Sequence, residues 1–242
     1  GTLANGLVVL PAQSIIQTSQ SDFASGTFTS TVTTGVLDGE IQLQSGLQDY
    51  FSGYSLDTTQ WMSANWVSNG TTTVANGSLT VSGSYVRSLA QQPVSSKLQA
   101  RLKFSSDTSA RQHFGFSSTT DLSSNWMLFS MPNGQLYART NFGGVYMETL
   151  LSVSLDVYHD FMIDTSGGSI RYYVDGALVA THPGQVSGSA YIWFSSGGVN
   201  TPLSSESVQI ASPYQSSGSY LSRVLDAGQL VHWNTLNWQA SG

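Results

Sequence analysis

Apolar and polar residues alternate with a period of two along most of the chain, and helical periodicity is almost absent. The run Lys97-Leu98-Gln99-Ala100-Arg101-Leu102-Lys103-Phe104 is the clearest case. In an extended strand Leu98, Ala100, Leu102 and Phe104 share one face, and the polar residues take the other. Residues 170–174 and 177–182 flank Asp175-Gly176, which supplies the two positive φ angles of a type I′ turn. That stretch is predicted as a β-hairpin. Further strands are predicted at 78–82, 126–131, 135–139, 160–164, 190–195 and 207–211, separated by Gly, Ser and Asn clusters. Many short strands joined by such turns indicate an antiparallel sandwich or barrel.

Residues 1–21 break the alternation. Leu7, Val8, Val9 and Leu10 are consecutive and apolar, and Pro11, Ile15 and Ile16 follow. Such a run suits a strand buried on both faces, and extended segments of this kind add to the sheet edge of a neighbour. These six apolar residues are therefore a candidate assembly strand. The alternatives are an arm packed on its own sandwich, or a linker to a preceding module. The chain ends also echo each other. Residues 25–32 (SGTFTSTV) match residues 217–224 (SGSYLSRV) in pattern, and Leu37-Asp38-Gly39 parallels Leu225-Asp226-Ala227-Gly228. The echo fits either the start of a second tandem unit or two similar edge strands of one fold. The expected organisation is an extended arm at 1–21, a sandwich at 22–214, and a β segment at 215–242 echoing residues 25–39.

Composition narrows the setting. Of 242 residues only 9% are charged, against roughly 25% in an ordinary domain. With 40% hydrophobic residues the chain has ample material for a core. The formal net charge is −6 and only eight residues are basic, which excludes a phosphate-tracking surface and hence nucleic acid. No run approaches a membrane span. A cysteine-free chain rich in hydroxyls and amides, beginning at Gly1 without Met, is expected to be secreted: a mature form, or a slice of a larger surface protein. Two sequons, at Asn69 and Asn76, fall in predicted turns and are candidate N-glycosylation sites.

Catalytic motifs are sparse. There is no Gly-x-Ser-x-Gly elbow and no phosphate loop, and His113, His159, His182 and His232 stand apart without zinc-ligand spacing. Sugar sites on sandwiches combine aromatic platforms with amides and guanidinium groups. Trp126, Tyr137, Arg139, Asn141 and Trp193, on or beside the predicted central strands, are the candidate glycan-binding residues. The competing role for each strand aromatic is core packing.

Several segments together resemble concanavalin A-like lectin/glucanase modules, of the laminin-G-like jelly-roll kind found in large prokaryotic surface proteins. They are Asp49-Tyr50-Phe51-Ser52-Gly53 with Ser55-Leu56-Asp57 and Trp61, then Asn76 to Val81, Gln135 to Asn141, and Ile170 to His182. The stretch from Ser212-Pro213-Tyr214 to Trp238 is similar to the segment that closes such modules. The resemblance covers roughly residues 22–240 and implies an all-β antiparallel jelly-roll sandwich. It also implies that a hydrolase of this kind would carry Glu-x-Asp-x-Glu on one strand face, one carboxylate to attack and another to donate a proton. No such run exists: Glu40, Glu148 and Glu206 are isolated, and Met162 separates Asp160 from Asp164. Calcium sits in many relatives, and Asp49 is the most suitable carboxylate for a structural ion. The chain is therefore expected to be a non-enzyme. Its expected role is a structural or adhesion module that self-associates head to tail, or with neighbouring modules, through its N-terminal strand. Polysaccharide binding is the alternative, and a diverged glycoside hydrolase the second alternative.

Overall fold

A computed structural model describes residues 2–4, 7–9, 23, 26–29, 31–33, 41–43, 47–142, 145–184, 186–211 and 219–221. The chain forms two compact units, one of Gly1–Gln44 with Gln215–Gly242 and one of Ser45–Tyr214. Residues 22–44, placed in the sandwich by sequence, thus group with the termini.

In the terminal unit β1 (Thr2–Ala4) pairs with β2 (Leu7–Val9), while β3 (Thr27–Thr29) and β4 (Thr31–Thr33) are followed by β5 (Ile41–Leu43), the partner of β4. Leu7, Val8 and Val9 of the candidate assembly strand are therefore paired within their own chain. Leu10, Ile15 and Ile16 lie outside the described residues.

The larger unit is built from β6 (Gln48–Asp49), β7 (Trp61–Asn65), β8 (Thr71–Ala75), β9 (Ser78–Ser82), β10 (Ser84–Ser88), β11 (Gln92–Pro93), β12 (Lys97–Lys103) and β13 (Gln112–Ser117). It continues with β14 (Trp126–Met131), β15 (Tyr137–Phe142), β16 (Val145–Leu150), β17 (His159–Asp164), β18 (Ser169–Val174), β19 (Ala177–Pro183), β20 (Ser189–Ser196) and β21 (Leu203–Ala211). One antiparallel sheet runs β16-β15-β14-β13-β20-β10-β7, with β11 on β20. The other runs β19-β18-β17-β12-β21-β9-β8, with β6 on β21. The last strand, β22 (Ser219–Leu221), belongs to the terminal unit and pairs with β3, Tyr220 opposite Phe28. The two echoing segments are thus hydrogen-bonded to each other.

The patterns read from sequence explain the second sheet well. Leu98, Ala100, Leu102 and Phe104 are all buried, as alternation requires. Asp175 and Gly176 take φ values of 50° and 78°, and Asn76 and Gly77 take 53° and 73°, so two tight turns close the β18–β19 and β8–β9 hairpins. Asn69 and Asn76 are both exposed. Between the sheets, Phe51, Trp61, Phe114 and Phe194 form one aromatic cluster, with ring centroids 5.1–6.3 Å apart.

Asp49 organises the start of the sandwich. Its Oδ1 accepts the Phe51 N–H at 2.7 Å and its Oδ2 accepts the Trp61 indole N–H at 2.8 Å. The first bond stabilises the positive φ of Phe51, 49°, which turns that ring into the core. Both oxygens serve the fold, and no group of three or more His, Asp or Glu is placed to hold a metal among the described residues. The Asp-x-Phe…Trp pattern is accordingly a packing device here.

Candidate functional site

The first sheet presents one face to the core and the other away from it. On β15, Ala138 and Thr140 point inward and are buried, so Tyr137, Arg139 and Asn141 point outward. The register sets Trp193, Gly115, Leu128, Arg139 and Glu148 in one row across β20, β13, β14, β15 and β16. The rows on either side carry Ser195, His113, Ser130 and Tyr137, and then Tyr191, Ser117, Trp126, Asn141 and Tyr146. All five candidate glycan-binding residues therefore share this outer face.

A cavity of about 340 Å³ opens on it, floored by His113, Leu128 and Ser195 and walled by Trp66, Leu122 and Trp126. Arg111, Arg139 and Gly197 complete the lining. Arg139 is the hub. Its guanidinium lies 5.2 Å from the Trp126 ring centroid and 5.4 Å from that of Tyr146. Nη1 donates to Ser130 Oγ at 3.1 Å, Nη2 donates to the Tyr146 hydroxyl, and Nε lies 3.4 Å from Glu148 Oε2. Tyr146 in turn donates to Glu148 Oε2 at 2.5 Å.

His113 Nδ1 lies 2.9 Å from Ser130 Oγ. Since Ser130 accepts from Arg139, its own O–H is free to donate to Nδ1 of a neutral imidazole. Burial, and then the charges of Arg139 and Arg111, push the His113 pKa down to about 4. The ring is therefore neutral at neutral pH.

At the other end Trp66, 43% exposed, donates its indole N–H to Ser195 Oγ at 2.9 Å and packs on Tyr85, which packs on Trp193. Trp193 itself is fully buried, and its indole N–H has no hydrogen-bond partner among the described residues. It cannot stack on a sugar as it stands, so its candidate role is corrected to supporting Tyr85. Trp126 is only 9% exposed, because Arg139 covers it. Of the two tryptophans lining the cavity, Trp66 is the exposed one, which sequence reading missed: it follows β7 in a turn, and nothing in the local pattern marks it. Arg111, His113, Tyr146 and Glu148 were also missed. For the last two a signal existed, since Tyr146, Glu148 and Leu150 alternate with Met147 and Thr149 in an ordinary strand pattern.

Carboxylates are scarce here. Glu148 is the one acidic residue in the strands of this sheet. Asp160 and Asp164 sit on the second sheet, paired with Arg101 at 3.6 Å and Arg171 at 3.0 Å.

No protein-family model matches the sequence, and no curated protein matches it. Solved structures do. A β-glucanase of Bacillus licheniformis superposes with a TM-score of 0.56 at 18% identity, covering 71% of this chain and 100% of the other. The endo-β-1,3-glucanase of Pyrococcus furiosus gives 0.57 at 12% identity, covering 80% and 99%. A β-1,3-1,4-glucanase (lichenase) from a mouse hindgut metagenome gives 0.54 at 14% identity, covering 68% and 98%. The fold is the concanavalin A-like jelly-roll sandwich that the sequence motifs indicated. The expectation of a non-enzyme does not stand, because several of the solved structures that share the fold are named as glucanases or a glycosyl hydrolase family protein. Its ground was the missing Glu-x-Asp-x-Glu run, which bears on one arrangement of carboxylates and not on the scaffold. Adhesion through a self-associating arm finds no support in these comparisons.

Proposed function

We propose that this chain is a carbohydrate-active protein that binds a polysaccharide across the outer face of its first sheet. One observation carries the reading. The cavity combines an exposed indole, Trp66, with a guanidinium packed against two rings, Arg139 beside the edge-to-face pair of Trp126 and Tyr146. A pyranose has apolar C–H faces and a rim of hydroxyls. Trp66 offers a flat apolar surface for the faces. Arg139, Arg111, the neutral His113 and Ser195 offer donors and acceptors for the rim. The similar solved structures, named for activity on β-glucans, support carbohydrate as the ligand class.

Hydrolysis of the bound glycan is the second reading, and Glu148 favours it. As a carboxylate Glu148 would take a proton from the water that adds to the anomeric carbon. It would pass that proton to the departing glycosidic oxygen as the C–O bond breaks. Tyr146 and Arg139 fix the carboxylate for that exchange. Biolayer interferometry against tethered neutral and charged polysaccharides tests the binding. Trp66→Ala is expected to weaken retention about tenfold, in line with a stacking contact of 1–3 kcal/mol. No retention on any polysaccharide refutes the reading. Reducing-end release by the wild type, absent in Glu148→Gln, tests the cleavage.

A further inference from the structure

We infer that the cavity selects an anionic polysaccharide, one bearing carboxylate or sulfate groups that Arg111 and Arg139 engage from either side of His113; this rests on the glycan-binding reading above.

The chain is acidic, with 14 Asp and Glu against eight Lys and Arg. Yet two of those eight line one cavity, and no residue lining it is acidic. Among the other described guanidinium groups, Arg87 lies over the Tyr191 ring without a carboxylate within 4.0 Å, and the remaining two are neutralised. Arg101 pairs with Glu206 at 2.8 Å and with Asp160, and Arg171 pairs with Asp164. Arg139 shares its charge with Glu148, whose carboxylate sits one strand further out. Arg111 is exposed and has no carboxylate within 4.0 Å among the described residues.

The two charges are felt inside the cavity. After burial, Arg139 and Arg111 are the groups that hold His113 in its neutral form. Trp66, Leu122, Trp126 and Leu128 supply low-dielectric walls, which lengthen the reach of those charges. A neutral sugar closing this space would desolvate Arg111 and leave its charge uncompensated. A carboxylate or sulfate offers acceptor oxygens to the guanidinium and cancels the charge. Indiscriminate adhesion to polyanions is opposed by the net charge of −6, so binding of a polyanion must be local.

The test uses the full chain against three tethered probes: mixed-linkage β-glucan (neutral), polygalacturonate (carboxylate) and κ-carrageenan (sulfate). Retention is expected on at least one anionic probe, stronger than on β-glucan and falling steeply between 20 and 500 mM NaCl. The polygalacturonate and carrageenan arms say which group is read. Arg111→Gln should weaken anionic retention on the order of tenfold, as for loss of a charge-assisted hydrogen bond, and Lys103→Gln on the second sheet should not. An unchanged melting temperature in Arg111→Gln keeps the comparison one of binding. Equal or preferential retention on β-glucan, or anionic retention indifferent to Arg111→Gln, overturns this inference and leaves the glycan reading standing. Silence on all three probes overturns both.

Discussion

Acid should destabilise this protein through His113, and the size of the effect follows from its position. In the unfolded chain a histidine titrates near 6.5, whereas in the folded protein burial, Arg139 and Arg111 depress His113 to about 4. The native state therefore refuses a proton that the unfolded state accepts. Stability is at its full value above about pH 6.5, falls as the pH drops from there toward 4, and levels off below. A difference of about 2.5 units corresponds to about 3 kcal/mol, a substantial part of the stability of an ordinary domain. The local bonding agrees with the direction, since Ser130 donates to the neutral ring and protonation of Nδ1 would abolish that bond. The variant His113→Asn offers Oδ1 close to where Nδ1 stood, so it keeps an acceptor for Ser130 and loses the titration. Urea unfolding of both proteins at pH 7.5, 6.5, 5.5 and 4.5 gives the stability difference between them at each pH. His182, buried and shifted in the same direction, is present in both and cancels. The wild type should lose about 2–3 kcal/mol relative to the variant across the range. Curves that stay parallel within about 0.5 kcal/mol would refute a neutral His113 between two cations.

Other outcomes follow from the packing. Asp49→Ala leaves the buried Trp61 indole and the Phe51 amide without their acceptor, and should cost about 2–4 kcal/mol in chemical unfolding. Gly115→Ala would set a Cβ 2.1 Å from the Met127 carbonyl oxygen at a φ of 148°, so it should destabilise by about 3 kcal/mol and lower the melting temperature. Phe194→Ala removes the ring that Phe51, Trp61 and Phe114 all contact, and should cost about 3–5 kcal/mol with no change in the denaturant slope. Thr140→Val deprives Tyr172 and His182 of a shared buried partner, and should cost about 1–3 kcal/mol in the same assay.

Much of the sandwich is set by local chemistry that the sequence displays. Leu98 to Phe104 could face the core in only one way, and Asp-Gly and Asn-Gly could close only tight turns. The aromatic and polar residues of β15 had to share a face, because a strand separates its side chains by parity. Where burial extends to both faces of a strand, parity says nothing. β14 is buried at every position, and β13 is buried at all but His113, so Gln112 to Ser117 shows no strand signal, although it floors the cavity. The site itself was decided by pairing between distant strands. Trp66, Arg111, His113, Arg139 and Ser195 are separated by as many as 129 residues, and only the antiparallel register brings them around one cavity. Exposure was also a tertiary matter. Trp66 and Trp193 are the same residue type, yet the turn after β7 leaves Trp66 in solvent, while Tyr85 packs over a fully buried Trp193. The sequence by itself determined which residues face together along a strand. The tertiary structure alone decided which strands are neighbours, and so which side chains meet, because register and burial are properties of pairs and layers that no single segment contains.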